Sequence, residues 1–278
     1  SQVKNVSSRY SAVNFNGTRV MGLNNIELIS DRPLDINLKE IREVMNEFPD
    51  RAMVVSLMAN TNRQSWHDLV KRVQDNGCHG LELNFGCPHG MTERGMGAAV
   101  GQDPSIAKMV VEWVMEVAEV PVLTKLTPNV HSVVPIAKAT LEAGTNGFAL
   151  INTIQSLMGV DLDTFLPYPD VGGHTAFGGY CGPAVKPIAL KMLTTLGMDE
   201  ATANTPISGI GGVTTWRDAV EFMLLGAGNV QVCTAVMKYG FRIINDLCSG
   251  MSNWMDEKGF TSTSDFVGLS IPKVTDWE

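Results

Sequence analysis

Several features that would place this 278-residue chain in another class of protein are missing from its sequence. There is no run of about 18 apolar residues, which excludes a transmembrane helix. The opening residues also lack the apolar core of a signal peptide. Basic residues are in the minority, with 21 Lys and Arg against 29 Asp and Glu, and the net charge of −8 disfavours nucleic acid as a partner. These absences predict a cytoplasmic protein that does not act at a membrane.

Cysteines are few and far apart, and no two of them form a CxxC pair. This spacing excludes a zinc or iron–sulfur site built from neighbouring thiols, and no disulfide framework is expected. The five are Cys78, Cys87, Cys181, Cys233 and Cys248. We therefore predict no metal site. The chain also lacks an initiator Met, which suggests that it starts inside a longer protein.

The sequence does contain short apolar runs that alternate with amphipathic stretches, a pattern typical of βα units and a parallel sheet. Six β-branched-rich runs predict buried strands at 52–58, 80–85, 121–127, 147–153, 206–212 and 229–235. Amphipathic stretches predict helices at about 37–48, 65–76, 104–118, 132–143, 186–196, 215–225 and 241–258. The clearest helix has Asp103 as a good N-cap and Pro104 at its first position.

Six βα units do not close a (β/α)8 barrel, which needs eight parallel strands. Residues 1–51 show no convincing pair of buried strands. The pattern leaves two architectures open: an open doubly wound sheet, or a barrel that lacks its first two units. No low-complexity linker divides the chain, so we expect one domain over residues 1–278.

Polar residues concentrate at the carboxyl ends of the predicted strands, where ligands bind in barrels and open α/β sheets alike. Lys125 lies inside an apolar run, where a cation is costly unless an anion meets it. The alternative is a lysine whose stem packs while its head reaches solvent. Asn84 and Asn152 each offer a donor and an acceptor, which suits a planar ligand with an amide edge. Asn25 and Glu27 can extend this edge, although by themselves they read as ordinary loop residues.

Four segments predict mobile or ligand-binding backbone, and three of them are rich in glycine. The first, residues 84–97, holds Cys87 and is typical of an active-site lid, in which this thiol can be nucleophile, acid or buried filler. The turns at 208–213 and 232–235 indicate a phosphate site made of backbone N–H groups. The loop at about 154–185 is too long for a simple connection, and such loops are usually functional.

Taken together, the segments ELNFGCPHGMTERGMGAAVGQ, KLTPN, INTI, GGYCGPAVKPIAL, ISGIGG and VQVCTA resemble dihydropyrimidine dehydrogenases in order and spacing. The resemblance covers nearly all of residues 4–277 and is greatest to the bacterial subunit that carries FMN. The motif CPHGMxERGMG is close to diagnostic. The resemblance implies a TIM barrel of the dihydroorotate dehydrogenase type, incomplete and truncated at its N-terminus, with about six of the eight βα units.

The resemblance also implies the reduction of uracil or thymine at the 5,6-double bond with bound FMN. Cys87 would protonate carbon 5 while the reduced flavin gives hydride to carbon 6. The implied substrate-binding residues are Asn25, Glu27, Asn84, Asn152 and Thr153. The implied FMN-binding residues are Lys125, which would stabilise the anionic reduced flavin, and Asn152, Gly179, Gly211, Gly212, Cys233 and Thr234.

Members of this family also carry iron–sulfur clusters, FAD and an NAD(P)H site, and none of these can be encoded in this chain. The resemblance therefore implies an electron-donor subunit that holds them, in a homo- or hetero-oligomer. Two other functions stay open. One is a dihydroorotate dehydrogenase-like oxidoreductase, whose carboxylate substrate needs an extra cation such as Arg94. The other is a non-catalytic barrel fragment that serves as a subunit scaffold. A generic phosphate-sugar barrel enzyme explains the glycines but not Cys87 or Lys125.

Overall fold

The structure, a computed structural model, describes residues 9–15, 19–27, 32–87 and 95–275. Its strands are β1 (Tyr10–Phe15), β2 (Arg19–Asn25), β3 (Val54–Leu57), β4 (Gly80–Asn84), β5 (Val122–Lys125), β6 (Gly147–Leu150), β7 (Ile154–Ser156), β8 (Gly178–Cys181), β9 (Ile207–Ile210) and β10 (Asn229–Gln231). Its helices are α1 (Leu34–Glu47), α2 (Arg63–Asp75), α3 (Ala98–Gly101), α4 (Pro104–Met115), α5 (Val134–Glu142), α6 (Lys186–Met198), α7 (Trp216–Leu224), α8 (Thr234–Tyr239) and α9 (Ile243–Lys258). No helix in these ranges combines the length and apolar character that a bilayer span requires.

All six predicted strands are confirmed, and they form one parallel sheet in the order β10-β9-β6-β5-β4-β3. The seven predicted helices are also present, and Asp103 caps α4 by accepting bonds from the backbone of Ser105 and Ile106. The sixth strand was predicted too long. It ends at Gln231, and Thr234 already belongs to α8, so the last part of VQVCTA is the first turn of a helix.

The parallel sheet is curled, and its two faces differ in chemistry. Leu81, Leu83, Phe148 and Leu150 are fully buried in the main hydrophobic core, on the outer face against the helices. The other face is polar, and it carries a hydrogen bond of 2.9 Å from Gln231 Nε2 on β10 to Glu82 Oε2 on β4. Three strands lie between β10 and β4 in the sheet, so only a curled sheet brings these side chains together. The fold is an incomplete (β/α)8 barrel, not an open doubly wound sheet.

A second sheet, antiparallel and ordered β1-β2-β8-β7, is the part of the fold that the sequence pattern did not predict. Residues 1–51 do contain a pair of strands, β1 and β2, but this hairpin pairs with β8 and is not part of the barrel sheet. The segment 154–185, predicted as a loop, contains β7 and β8. Most of β1 is exposed, so it lacks the apolar run that marks a buried strand.

Aromatic packing fixes the segment that follows β4. Trp66 of α2 and Phe85 are both fully buried, with ring centroids 6.3 Å apart in an edge-on arrangement. Burying a side chain such as Phe85 contributes about 1.5–3 kcal/mol, which is enough to hold the chain after β4 in one position. The packing of this ring therefore determines where Asn84 and Cys87, on either side of it, are placed.

Candidate functional site

A cavity of about 360 Å³ opens at the carboxyl ends of β5, β6, β9 and β10. This is the end of a parallel barrel at which ligands bind. The antiparallel sheet forms the opposite wall, because Tyr10, Leu23, Asn25, Glu27 and Tyr180 also line the cavity. Leu23, Ile151, Val185, Ile210 and Val232 give it apolar surface. The two sheets together therefore enclose a pocket with apolar walls and a small number of polar groups, as in a cofactor site.

Most of the residues that the sequence singled out come together here. Those in the cavity wall are Asn25, Glu27, Lys125, Asn152, Thr153, Gly211, Gly212, Cys233 and Thr234. Three others are not among the lining residues. Asn84 is the last residue of β4 and Cys87 follows that strand, while Gly179 lies buried in β8, where an added Cβ would lie 2.3 Å from Thr153 Oγ1. The roles assigned to all of these residues remain predictions.

An asparagine pair links two neighbouring strand ends. Asn152 Nδ2 donates to Asn84 Oδ1 over 2.8 Å, and the same oxygen accepts the backbone N–H of Gly86 over 3.1 Å. Asn152 Oδ1 in turn accepts the N–H of Thr153 over 2.8 Å. A primary amide has a second N–H and a second lone pair, so Asn152 keeps one donor and one acceptor position for a ligand. Asn84 orients this amide and need not contact the ligand itself.

Cys87 is buried, with 5% of its surface exposed, just beyond the aromatic anchor Phe85. Its carbonyl accepts the N–H of Ala98 over 3.1 Å. Gly97 passes close to it with a φ of 59°, and an added Cβ at Gly97 would lie 2.7 Å from the Cys87 carbonyl oxygen. Only glycine fits both this space and this backbone conformation. The rest of the predicted lid, residues 88–94 with Arg94, lies outside the described residues.

Lys125 meets an anion that belongs to the chain itself. Its Nζ lies 3.2 Å from Oε1 of Glu82 on the adjacent strand β4, and both side chains are largely buried. The sequence interpretation explained the strand lysine by a flavin and did not identify Glu82. The available signal was the alternation in GLELN, where Leu81 and Leu83 face one side of the strand and Glu82 and Asn84 face the other.

The glycine-rich end of the cavity is supported by a buried carboxylate. Gly211 and Gly212 follow β9, and shortly after them Thr214 and Thr215 each donate backbone and hydroxyl hydrogen bonds to Asp218 Oδ2. Lys186 Nζ donates to Asp218 Oδ1 over 2.6 Å. Burial alone would raise the pKa of the Asp218 carboxyl, but these hydrogen bonds outweigh it and lower the pKa from 3.8 to about 2. The cavity turn thus depends on an ionised Asp218.

The lowered pKa predicts how acid affects this turn. A carboxyl whose pKa is lower in the folded state stabilises the protein above its unfolded-state pKa, and this stabilisation is lost as the pH falls through the folded-state value. Asp218→Asn should therefore reduce the free energy of unfolding by about 2 kcal/mol near pH 6. Between about pH 6 and about pH 3 the unmodified protein should lose about 1 kcal/mol more than the variant. Urea unfolding at several pH values measures both quantities, and parallel pH profiles would contradict the prediction.

The rim of the cavity contains groups that sequence reasoning missed. Tyr10 donates a hydrogen bond to Glu27, and Arg9 forms an ion pair with the same carboxylate at 2.5 Å. Burial, followed by the bond to Glu27 and its charge, raises the pKa of Tyr10 to about 12. The neutral phenol therefore persists at physiological pH. Nothing in the sequence could join Tyr10 to this site, because only the antiparallel sheet brings β1 to the barrel.

The cavity also includes a thiol close to the start of α8. Thr234 Oγ1 donates to Cys181 Sγ over 3.2 Å, and Cys181 Sγ donates to the carbonyl of Leu23 over 3.2 Å. Burial raises the pKa of the Cys181 thiol, so it stays protonated at neutral pH. Among the residues with described positions, no group of three His, Cys, Asp or Glu side chains is arranged to bind a metal ion.

The lining residues fit a flavin mononucleotide. At one part of the wall, backbone replaces side chains: Gly182, Gly211 and Gly212 all have positive φ, and an added Cβ at Gly212 would lie 2.8 Å from the Gly182 carbonyl oxygen. Such backbone can approach a phosphate closely. The apolar residues suit a planar ring, while Lys125, Asn152 and Gln231 supply polar groups. The wall thus offers each kind of surface that FMN needs.

Comparison with known proteins is consistent with this geometry. Residues 8–255 match the family model described as Dihydroorotate dehydrogenase. The chain is 44% identical to the chloroplastic dihydropyrimidine dehydrogenase (NADP(+)) of Arabidopsis thaliana, over 99% of the chain and 66% of that protein. It is 39% identical to the NAD-dependent dihydropyrimidine dehydrogenase subunit PreA of Escherichia coli, over 95% of the chain and 64% of that protein. The chain therefore spans slightly less than two thirds of the length of these two relatives.

A third relative is named for a different activity. The catalytic subunit of dihydroorotate dehydrogenase B (NAD(+)) from Pyrococcus abyssi is 36% identical, over 84% of the chain and 73% of that protein. The two dihydropyrimidine dehydrogenases are more similar to this chain in both identity and coverage of the chain.

Proposed function

Because the chain belongs to the dihydroorotate dehydrogenase family, we propose that it binds FMN in the cavity and reduces uracil or thymine to the 5,6-dihydropyrimidine. The observation that carries the proposal is the composition of the cavity wall, which unites Lys125, the Asn152 amide and the glycine-rich turn. The similarity to two dihydropyrimidine dehydrogenases supports this choice of substrate. Residues 1–278 would form the FMN-binding barrel domain.

In the proposed reaction, FMN bound in its reduced form would supply hydride to carbon 6 of the pyrimidine. The Cys87 thiol supplies the proton for carbon 5, which suits a group whose reference pKa of about 8.5 keeps it protonated yet able to release its proton. Asn152 and Thr153 hold the amide edges of the base, with Asn84 orienting Asn152. Asn25 and Glu27 bind from the opposite wall.

The other proposed binding residues serve the cofactor. Lys125 would stabilise the anionic reduced ring, and the lining residues Gly211, Gly212, Cys233 and Thr234 would hold the phosphate. Gly179 is not a lining residue. Because it has no side chain, β8 can approach Thr153 closely, and both residues would then lie beside the cofactor. The electrons come from a partner subunit with iron–sulfur clusters, FAD and an NAD(P)H site. The Escherichia coli relative, which is itself named as a subunit, supports such a partner.

A dihydroorotate dehydrogenase-like activity is the second candidate, favoured by the family model and the Pyrococcus abyssi relative. Its substrate carries a carboxylate and needs a cation. Among the described lining residues, Lys125 is the only Lys or Arg, and it is already paired with Glu82. The same wall also contains the Glu27 carboxylate. An uncharged pyrimidine therefore fits this cavity better than orotate.

The test is an absorbance spectrum of the purified chain after FMN is added and the excess removed. We expect near-equimolar retained flavin, a spectrum that uracil or thymine perturbs, and little response to orotate. Loss of all flavin would contradict the proposal for this chain. A response to orotate alone would favour the second candidate.

Gly212→Ala provides the matching structural prediction. Gly212 has a φ of 79°, and its new Cβ would lie 2.8 Å from backbone oxygen, so the turn must move. We expect the variant to lose its retained flavin. Gly259→Ala is the control, because Gly259 has a φ of 73° with no atom within 4 Å of an added Cβ. Both variants should lose about 1 kcal/mol of stability from backbone strain. Equal flavin retention by the two would contradict a phosphate site at Gly212.

A further inference from the structure

Beneath Lys125, the inner face of the barrel sheet carries four connected polar side chains, which we call the inner polar layer: Glu82, Ser208, Asn229 and Gln231. Gln231 Nε2 donates to Glu82 Oε2 over 2.9 Å and to Ser208 Oγ over 3.1 Å. Ser208 Oγ donates to Asn229 Oδ1 over 2.5 Å. The layer thus connects β4, β9 and β10 and contains one charged member, Glu82.

The strand register explains why these residues meet. Neighbours in register on a sheet share a face. Lys125 pairs with Ala149, Ala149 with Ser208, and Ser208 with Asn229. Ala149 contributes only a methyl group in the middle of this row, which leaves room for the long side chains of Glu82, Lys125 and Gln231 to meet across the curled face.

Glu82 is the charged group behind the cavity wall. Only 5% of its surface is exposed, and it is absent from the lining, whereas Lys125 and Gln231 both reach the cavity. Its two carboxylate oxygens have separate partners, Oε1 with Lys125 Nζ and Oε2 with Gln231 Nε2. The carboxylate therefore touches two lining residues from behind and would have no direct contact with a ligand in the cavity.

We propose that Glu82 is a positioning residue that fixes the Lys125 ammonium in the cavity wall and lowers the reduction potential of the bound flavin. This inference rests on the proposed function, in which Lys125 faces the anionic reduced ring. A positive charge favours the reduced form because that form carries more negative charge. A carboxylate 3.2 Å from the ammonium offsets much of this effect, since charges interact strongly at such distances away from bulk water.

The experiment measures the two-electron potential of retained FMN in the full chain by equilibration with a reference dye. Glu82→Gln keeps the size of the side chain and one of its two acceptor oxygens but removes its charge. Lys125 is then unopposed, and the site should bind reduced flavin about tenfold more tightly relative to oxidised flavin. For a two-electron couple this is a rise of about 30 mV. Glu82→Asp keeps the charge one methylene further from Lys125, and a smaller rise is expected.

Ser208→Ala is the matched control, because it removes hydrogen bonds from the inner polar layer without changing its charge. It should leave the potential unchanged. A potential that does not change, or that falls, in both Glu82 variants would overturn the inference while leaving the proposed function intact. A similar rise in Ser208→Ala would also overturn it, because loosening of the layer would then explain the effect. Absence of retained flavin from the unmodified chain would instead overturn the proposed function and this inference with it.

Discussion

Replacing Cys87 with Ala is expected to slow pyrimidine reduction by about 10²–10⁴-fold, the usual contribution of a positioned general acid. The flavin should remain bound, because Cys87 is not part of the cavity wall. The rate is measured anaerobically, as the uracil-dependent reoxidation of chemically reduced flavin in a single turnover. This assay needs no partner subunit. Uracil should still perturb the flavin spectrum, since the residues that hold its amide edges are unchanged.

Two further variants separate proton transfer from packing. Cys87→Ser replaces the thiol with a hydroxyl of similar size. Because a hydroxyl is a far weaker acid than a thiol, the Ser variant should be nearly as slow as the Ala variant. Cys78→Ala is the control, because Cys78 is also buried and precedes β4, whereas Cys87 follows it. Its removal should reduce stability without slowing the reaction. If Cys87→Ser retained the full rate, the thiol would not be the acid.

Replacing Lys125 with Met should lower the free energy of unfolding by about 3–5 kcal/mol, because it leaves the buried Glu82 carboxylate without its cation. Chemical denaturation of the flavin-free chain measures this loss. The double variant Lys125→Met/Glu82→Gln should recover most of it, since no charge then remains buried. The retained flavin of the double variant should nevertheless be harder to reduce than that of the unmodified protein.

The control for this prediction is an exposed ion pair with a shorter distance. Lys108 Nζ lies 2.7 Å from Glu142 Oε2, against 3.2 Å for Lys125 and Glu82, yet both of its side chains are well exposed. Lys108→Met should change stability little, because exposed pairs are screened by water. A comparable loss of unfolding free energy in Lys108→Met and Lys125→Met would mean that burial does not determine how much these ion pairs contribute to stability.

The barrel strands could be predicted from sequence because each has one face buried against helices, which requires apolar residues such as Leu81 and Phe148 regardless of the rest of the fold. The antiparallel sheet could not. β1 is largely exposed, and its stability depends on a partner, β8, that lies far along the chain. Local pattern carries no information about such distant pairing.

The residues of the candidate site likewise divide into those that could be predicted from sequence and those that could not. Lys125, Asn152 and Gly212 could be recognised because they stand at strand ends, whose common edge follows from parallel pairing alone. Glu82 was missed because its importance depends on the curvature of the sheet, which brings β4 opposite β10. Tyr10 was missed because it enters the cavity only through the antiparallel sheet. The positions of Glu82 and Tyr10 depend on tertiary structure, whereas the positions of the strand-end residues depend only on the strand that contains them.

The pairing of β2 with β8 also determines the order in which the site is assembled. The contact between Leu23 and Cys181 joins residues 158 positions apart, whereas the barrel strands mostly pair with near neighbours in sequence. Contacts between distant residues close large loops and form late in folding. The β1–β2 hairpin is therefore among the last segments to dock, and the cavity has no second wall until it does. Capture of flavin would thus report that folding is complete, and partly folded chains would remain colourless.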